Sequence, residues 1–391
     1  MNIALVIAAG LELLAMPNGL RPTADAWQFA GLGAVRGLTI GPIENLRHAG
    51  RGYGSPAFER ALDEAVQMGA TWISLTPFGR VADLTPLGID MCFEAPFEDN
   101  RAAIAQAVAQ AHDRGLRVMM VPHLWVESGE WRALIDPGSD AGWAAWSDSY
   151  RAFLLEWAEV AAASNVDLLS IGVELRSWVT TPRVELLQST IAEVRGTFPG
   201  LLTYSSNWDD AELTLLWDEV DVIGINAFYP LADHYGASRS ELFAGGRRVF
   251  EGLERFANDQ KKPIMLTEVG YTTRRDTAIR PWEWPDGMVD VVVDEAAQAE
   301  AFEALLAPLT ESPFVAGFFV WRYYADPDDV SQEAEWGYSP RGKRAEVVLR
   351  DIFNSQLATD GEPLPGWIGG RHRARSPWRY GWESSPPLFV E

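Results

Sequence analysis

Several residue types that common enzyme chemistries require are scarce in this sequence of 391 residues. Cys92 is the single cysteine, so no intramolecular disulfide can form, and either redox compartment is compatible with the chain. The five histidines are scattered without an H-x-H or H-E-x-x-H pattern, and no G-x-S-x-G segment occurs. We therefore expect no metal site and no cofactor, and we exclude a zinc-type hydrolase and a serine hydrolase with a nucleophile elbow.

Positive charge and long apolar runs are also in short supply. The chain carries 32 Lys and Arg against 55 Asp and Glu, a net charge of −23. Such a surface repels phosphate backbones and anionic membranes, so we expect neither nucleic acid nor membrane as a partner, whereas a neutral polysaccharide is tolerated. The apolar segment 2–16 is too short to span a bilayer, and no later stretch is longer. The oligomeric state stays open.

The sequence does contain a regular alternation of short apolar segments and longer amphipathic ones. This pattern is typical of parallel strands buried on both faces and connected by helices. Eight apolar segments favour a closed (β/α)₈ TIM barrel of the α/β class over an open doubly wound sheet. The predicted strands are 37–41, 71–76, 116–121, 167–173, 201–205, 221–226, 263–267 and 316–321. The predicted helices are 55–69, 99–114, 143–163, 182–197, 239–259, 294–309 and 341–353.

The barrel accounts for the middle of the chain, which we assign as a single catalytic domain over residues 31–355. Residues 1–30 are expected to be an N-terminal extension or a degenerate signal segment, because 2–16 is apolar but no Lys or Arg precedes it. The signal interpretation favours a secreted or periplasmic location over the cytoplasm, and the compartment stays open. Residues 356–391 are rich in Pro, Gly and Trp and predict an irregular tail.

Two glutamates stand at the carboxyl ends of predicted strands, where barrels of this kind carry their active sites. Glu174 follows the fourth strand in the segment IGVEL, and Glu268 follows the seventh in MLTEVGY. Both come after apolar runs, where a carboxylate is costly to desolvate unless it is paired or has a function. Their strands lie nearly opposite each other in a small barrel, so the side chains converge on one cleft. Two carboxyls flanking a glycosidic bond suffice for its hydrolysis, and a salt-bridged structural pair is the alternative.

The positions of the three lysines argue against a Schiff-base aldolase, another chemistry that barrels of this kind carry out. Lys261 and Lys262 precede the seventh predicted strand, and Lys343 lies in the last predicted helix. A Schiff-base aldolase needs a lysine amine inside the active site. Since none of the three stands at the carboxyl end of a strand, we exclude that mechanism.

The chain resembles glycoside hydrolase family 113, a clan A family whose characterised members are β-mannanases. The matching segments, in order, are GLTIGP, PHLWV, IGVEL, MLTEVGY, FFVWRYY and WGYSPRGKRAEVVL, spread over residues 37–349. The resemblance implies that Glu174 is the general acid/base and Glu268 the nucleophile of a retaining mechanism. One position departs from the clan: the Asn that usually precedes the acid/base and bonds the sugar 2-hydroxyl is Val173 here. Sugar preference is therefore open.

Four aromatic residues near the ends of predicted strands are candidates for substrate binding. Trp321 is expected to form the floor beneath the reacting sugar, and Trp125 and Trp208 are expected to form walls. Tyr229, in the segment NAFYP, is expected to hold an oxygen of the nucleophile. Ordinary core packing is the competing interpretation for each of them.

Four polar residues complete the candidate site. His123 and Asn207 are expected to bond sugar hydroxyls, although each can also serve only local structure. Arg47 and Arg176 are candidates for pairing with the two glutamates, although ordinary surface salt bridges are the favoured interpretation for both. For Glu174 to act as an acid, burial or the charge of Glu268 would have to raise its pKa.

Together these features predict a retaining glycoside hydrolase that cleaves β-1,4-mannan or manno-oligosaccharides by double displacement. An exo-acting β-glycosidase of other specificity, for glucosides or cell-wall aminosugars, is one alternative. The segments 230–240 and 272–294 could close the cleft into the pocket that such an enzyme needs. A catalytically weak barrel that only binds glycan is the alternative outside enzymes, although a binder has no need of the glutamate pair.

Overall fold

A computed structural model describes residues 35–42, 50–92, 95–310 and 312–359 of the chain. The expected N-terminal extension 1–30, Arg47 and the part of the expected tail beyond Thr359 lie outside these residues. Within the described part, no helix is both long enough and apolar enough to cross a membrane.

Eight parallel strands close into a barrel, as the alternation of apolar segments predicts. Each strand pairs with the next one around the ring, and β10 pairs with β1 to close it. The barrel strands are β1 (Val35–Gly41), β2 (Trp72–Leu75), β4 (Arg117–Met120), β6 (Leu168–Val173), β7 (Leu201–Asn207), β8 (Val222–Asn226), β9 (Ile264–Val269) and β10 (Val315–Tyr324). The predicted (β/α)₈ fold is confirmed.

The helices lie between the strands, and local sequence explains several of their ends. The first begins after Ser55, whose hydroxyl accepts a hydrogen bond from the Phe58 amide at 3.2 Å, and ends at Gly69 in the left-handed conformation. The helices are α1 (Pro56–Met68), α2 (Phe97–His112), α3 (Asp140–Ala163), α4 (Arg176–Val179), α5 (Val184–Thr197), α6 (Arg239–Gln260), α7 (Glu295–Thr310) and α8 (Arg344–Thr359). The last one continues past its predicted end at 353 and enters 356–391, where the sequence analysis expects no helix.

Apolar side chains fill the inside of the barrel. A separate buried cluster draws on strands all around the ring and includes Trp72 of β2, Met265 of β9 and Phe319 of β10. The Phe319 ring occupies the space over Gly37, where a Cβ would meet it at 2.2 Å. This apolar interior fills the barrel below the carboxyl ends of the strands, and the two glutamates lie above it at the mouth.

A second, two-stranded sheet stands beside the mouth, and the sequence analysis did not predict it. It consists of β3 (Phe78–Val81), which follows β2, and β5 (His123–Val126), which follows β4. The strands are parallel, with Phe78 opposite His123, and the His123 amide donates to the Pro77 carbonyl at 2.8 Å. The segment after the third predicted strand is therefore ordered by backbone pairing, which fixes where His123 and Trp125 lie.

Candidate active site

The two strand-end glutamates lie at the mouth of the barrel and are both buried. Glu174 comes directly after β6 in the left-handed region, with φ of 51°, a conformation that few residues other than glycine adopt. Its amide donates to the Ser205 carbonyl at 2.9 Å, and the next amide, of Leu175, donates to the Tyr204 hydroxyl group at 2.7 Å. These bonds to β7 hold the turn that aims the Glu174 carboxyl into the mouth.

Three donors surround the Glu174 carboxylate. Its Oε2 accepts from the Trp131 indole Nε1 at 2.8 Å and from Arg132 Nη1 at 2.7 Å. Its Oε1 accepts from Asn226 Nδ2 at 3.0 Å. Trp131 and Arg132 belong to the segment between β5 and α3, and Arg132 is anchored by donating to the Leu124 carbonyl at 3.0 Å.

Glu268 lies within β9 and has a different environment. Asn226 is its neighbour across the β8–β9 pairing and acts to lower its pKa, and the Asn226 Oδ1 accepts a hydrogen bond from the Thr267 hydroxyl at 2.9 Å. The His123 Nε2 lies 3.7 Å from the Glu268 Oε1, beyond direct hydrogen-bond distance. Asn226 thus lies beside both carboxyls and bonds that of Glu174, and it is itself completely buried.

These environments shift the two pKa values in opposite directions. Burial raises the pKa of Glu174, but the charge of Arg132 and the bonds from Trp131, Asn226 and Arg132 outweigh it and lower that pKa below its ordinary value. Burial and the negative charge of Glu174 hold the pKa of Glu268 well above its ordinary value, and Arg132 and Arg322 only partly offset this. The raised pKa that an acid role was expected to need at Glu174 is therefore wrong, because its donors come from segments distant in the sequence.

The glutamates line a cavity of about 690 Å³, a size typical of sites that bind small molecules. Aromatic rings dominate the wall. The lining aromatic residues are Phe78, Trp125, Trp131, Trp208, Phe228, Trp282, Trp284, Trp321 and Tyr338. The lining acids besides the glutamate pair are Glu130 and Asp209, and the lining arginines are Arg132 and Arg322.

Three of the four predicted aromatic residues line this cavity. Trp321 is nearly buried beneath it, Trp125 is 44% exposed at its rim, and Trp208 lies between them in exposure. Tyr229 is not among the lining residues, and its ring packs against that of Trp208 with centroids 5.5 Å apart. Phe228 lines the cavity at that point instead.

The predicted polar residues divide in a similar way. His123 and Asn207 line the cavity, and the Asn207 amide donates to Asp209 at 2.5 Å. Arg176 does not pair with either glutamate: it binds Asp209 at 2.8 Å and Asp210 at 2.5 Å, and its guanidinium lies over the Trp131 ring. Arg176 therefore forms salt bridges with aspartates, the interpretation favoured from the sequence, and Arg132, from an earlier segment, occupies the place beside Glu174.

Several lining residues were missed by the sequence analysis. Arg132 and Trp131 stand eight or more residues away from the predicted strand end at Val121, and nothing local marks them. Trp282 and Trp284 lie in the long segment after β9, where only the density of tryptophan was a signal. Asn226 does not line the cavity but bonds Glu174, and its position at the end of a predicted strand was the available signal for this role.

A metal centre finds no support in the part of the chain that the structure describes. There, no group of three or more His, Cys, Asp and Glu side chains is placed to hold an ion.

The model of one family, Glycoside Hydrolase Family 113, matches residues 47–343, which is more than half of the chain. The chain belongs to glycoside hydrolase family 113. It is a glycoside hydrolase, and its substrate is a carbohydrate, as the sequence analysis predicts. A comparison with curated proteins gave no match.

Solved structures with the same fold include other family 113 enzymes. The β-mannanase AaManA from Alicyclobacillus acidocaldarius, in complex with ManMIm, is 24% identical with a TM-score of 0.71 over 83% of this chain and 98% of that one. A GH113 β-1,4-mannanase is 20% identical with a TM-score of 0.70 over 83% and 99%. A β-glucuronidase from Faecalibacterium prausnitzii is 17% identical with a TM-score of 0.55 over 82% and 49%. At these identities the likeness shows the fold.

Proposed function

We propose that this family 113 enzyme hydrolyses β-1,4-mannan or manno-oligosaccharides with retention of configuration, with Glu174 as general acid/base and Glu268 as nucleophile. The observation that carries the proposal is the pair of buried carboxyls, at the ends of β6 and β9, that line one cleft with aromatic rings around it. The β-mannanases of the same family support the choice of sugar.

In the first step, the Glu268 carboxylate attacks the anomeric carbon while the bond from that carbon to the leaving oxygen breaks. Glu174 gives its proton to the leaving oxygen, and a covalent glycosyl ester forms on Glu268. In the second step, Glu174 takes a proton from water, the water oxygen attacks the same carbon, and the ester bond breaks. Two inversions at one carbon give net retention.

The mechanism needs the proton on Glu174, whereas the directions of the two pKa shifts favour it on Glu268. Arg132, Trp131 and Asn226 favour the charged form of Glu174, and the negative charge of Glu174 favours the neutral form of Glu268. The reactive arrangement, with the proton on Glu174, has the same total charge and is the less populated of the two. A bound sugar that displaces one of these donors from Glu174 would increase the population of the arrangement with the proton on Glu174.

The walls of the cleft supply the remaining parts of the proposal. Trp321 forms the floor under the reacting sugar, and Trp125 and Trp208 form walls on which further sugar rings stack. His123 and Asn207 bond sugar hydroxyls. For Tyr229 we propose an indirect part, since its ring supports Trp208.

The test is a panel of aryl β-glycosides and β-mannan given to the wild type, Glu174→Gln and Glu268→Gln. We expect the wild type to cleave β-mannosides and mannan, both variants to lose most of their activity on mannan, the β-anomer of the product to appear first by NMR, and azide to rescue Glu268→Gly with formation of the α-glycosyl azide. Initial release of the α-anomer would contradict retention. Cleavage of glucosides or aminosugar glycans instead of mannosides would contradict the proposed sugar specificity. Binding of glycan without any turnover would indicate a barrel that only binds glycan.

A further inference from the structure

The residue that normally recognises the sugar 2-hydroxyl in related enzymes is absent from its usual place. Val173, directly before Glu174, belongs to the apolar cluster that fills the barrel and is buried there. It has no polar side-chain atom, so it cannot bond a hydroxyl. Contacts to the 2-hydroxyl strengthen in the transition state of glycoside hydrolysis, so another group in the cleft is expected to provide one.

Unpartnered polar atoms on the wall of the cavity identify the candidates. Buried polar groups in proteins nearly always have a hydrogen-bond partner, and a group that lacks one inside a cleft points to a ligand. Among the described residues, the atoms on the wall that are buried without such a partner are both ring nitrogens of His123, the Trp321 Nε1 and the Arg322 Nε. Of these residues, His123 has its Nε2 at 3.7 Å from the Glu268 Oε1.

The His123 ring is held firmly in this place. Its backbone is part of the small β3–β5 sheet, and its side chain is 2% exposed. The ring lies between Phe78, with centroids 5.2 Å apart, and Trp321, at 6.1 Å and nearly parallel. A ring confined in this way can present a nitrogen to a ligand at a low entropic cost.

The chemistry of His123 suits a hydroxyl. Burial and the positive charges of Arg132 and Arg322 hold its pKa well below the ordinary value, so the imidazole is neutral, with one donor and one acceptor nitrogen. The Glu268 carboxylate bonds to the anomeric carbon in the proposed mechanism. The hydroxyl nearest to that carboxylate is on the adjacent carbon, and an oxygen placed between Nε2 and Oε1 is within hydrogen-bond distance of both.

We propose that His123 binds the 2-hydroxyl of the reacting sugar together with Glu268, and so replaces the Asn that this chain lacks at Val173. This inference rests on the proposed function of the same cleft. It makes His123 a specificity-determining residue, because the 2-hydroxyl is the group that distinguishes a mannoside from a glucoside.

The experiment combines deletion of the side chain with deletion of the hydroxyl. Wild type and His123→Ala are assayed on aryl β-mannobiosides whose aglycone-bearing sugar is complete, 2-deoxy or 3-deoxy. On the complete substrate we expect His123→Ala to lower kcat/KM by about 10²-fold, as loss of one transition-state hydrogen bond does. On the 2-deoxy substrate the two proteins should differ by less than about threefold, whereas on the 3-deoxy substrate the full loss should remain.

A merely structural role of His123 would give the same loss on all three substrates and overturn the inference. A loss that disappears on the 3-deoxy substrate instead would assign His123 to the 3-hydroxyl and overturn it too. His123→Asn, which keeps a donor, carries the same test if His123→Ala does not fold, and it should partly restore activity on the complete substrate only. A wild type that cleaves none of the mannobiosides overturns the proposed function and this inference with it, whereas an active wild type isolates the inference.

Discussion

The ends of β6 and β9 place the same side chain at the same depth in two different environments. Glu174 and Glu268 are 8% and 7% exposed, so burial by itself does not distinguish them. Glu174 accepts hydrogen bonds from an arginine, an indole and an amide, whereas Glu268 has Asn226 opposite it on β8 and a histidine just out of reach. Their pKa values are shifted in opposite directions as a result. The donors around a buried carboxyl, and not its depth, decide where the proton of the pair resides.

The largest expected effect is the loss of activity when either carboxyl is removed, and its dependence on the leaving group should differ between the two. Glu268→Gln should lower kcat/KM at least about 10³-fold on every substrate, because the nucleophile is needed whatever leaves. Glu174→Gln should lose about 10²- to 10⁴-fold on mannan but far less on a dinitrophenyl β-mannobioside, whose leaving group needs no proton. The measurement is kcat/KM on both substrates. Equal dependence on the leaving group in the two variants would contradict the assigned roles.

A smaller effect is expected from the amide that lies beside both carboxyls. Asn226→Ala removes a donor to Glu174 and the acceptor of the Thr267 hydroxyl, so we expect kcat to fall about 10²-fold and stability to fall by about 1–3 kcal/mol. Steady-state kinetics and urea unfolding measure the two quantities. Thr267→Val is the matched control, since it removes only the bond behind the amide and should retain most of the activity. An unchanged kcat in Asn226→Ala would show that the Asn226 side chain has no role in catalysis.

The third prediction concerns Arg132, whose positive charge contributes to the different pKa values of the two glutamates. The positive charge of Arg132 lowers the pKa of both glutamates, so Arg132→Gln should raise both, and the acid and basic limbs of the kcat/KM profile should both move to higher pH. We expect about a tenfold loss at the wild-type optimum, comparable to one ordinary hydrogen bond. Arg132→Lys keeps the charge and should keep the limbs close to those of the wild type. A loss of activity with an unmoved profile would assign Arg132 a structural role only.

The smallest effect is expected at the rim beside β9. Trp282 is 46% exposed and stacks on Trp208 with centroids 5.6 Å apart, so it offers a face to a sugar distant from the reacting carbon. Trp282→Ala should lower kcat/KM a few-fold on mannan and leave a short aryl mannoside unaffected. Tyr235→Ala, at a residue that is 75% exposed and does not line the cavity, is the control and should change neither. Equal losses on the long and short substrates would contradict a distant contact.

Much of the fold was predictable because its signals are local. Apolar strands alternate with capped helices, and the order of these elements is enough to predict a closed parallel barrel. The same logic located Glu174 and Glu268, because a carboxyl directly after an apolar run stands out in the sequence. The sequence pattern did not reveal β3 and β5, because each strand is only four residues long and pairs with the other.

The sequence by itself determined the barrel, the family and the two candidate catalytic carboxyls at strand ends. Only the tertiary structure decided what surrounds them: Arg132 and Asn226 lie 42 and 52 residues from Glu174 along the chain, yet both bond it. Periodicity reports which face of an element is buried, since that depends on neighbouring residues of the same element. The electrostatic energy of a carboxyl depends on distances in space and on exclusion of water, and these exist only once segments far apart in sequence have met.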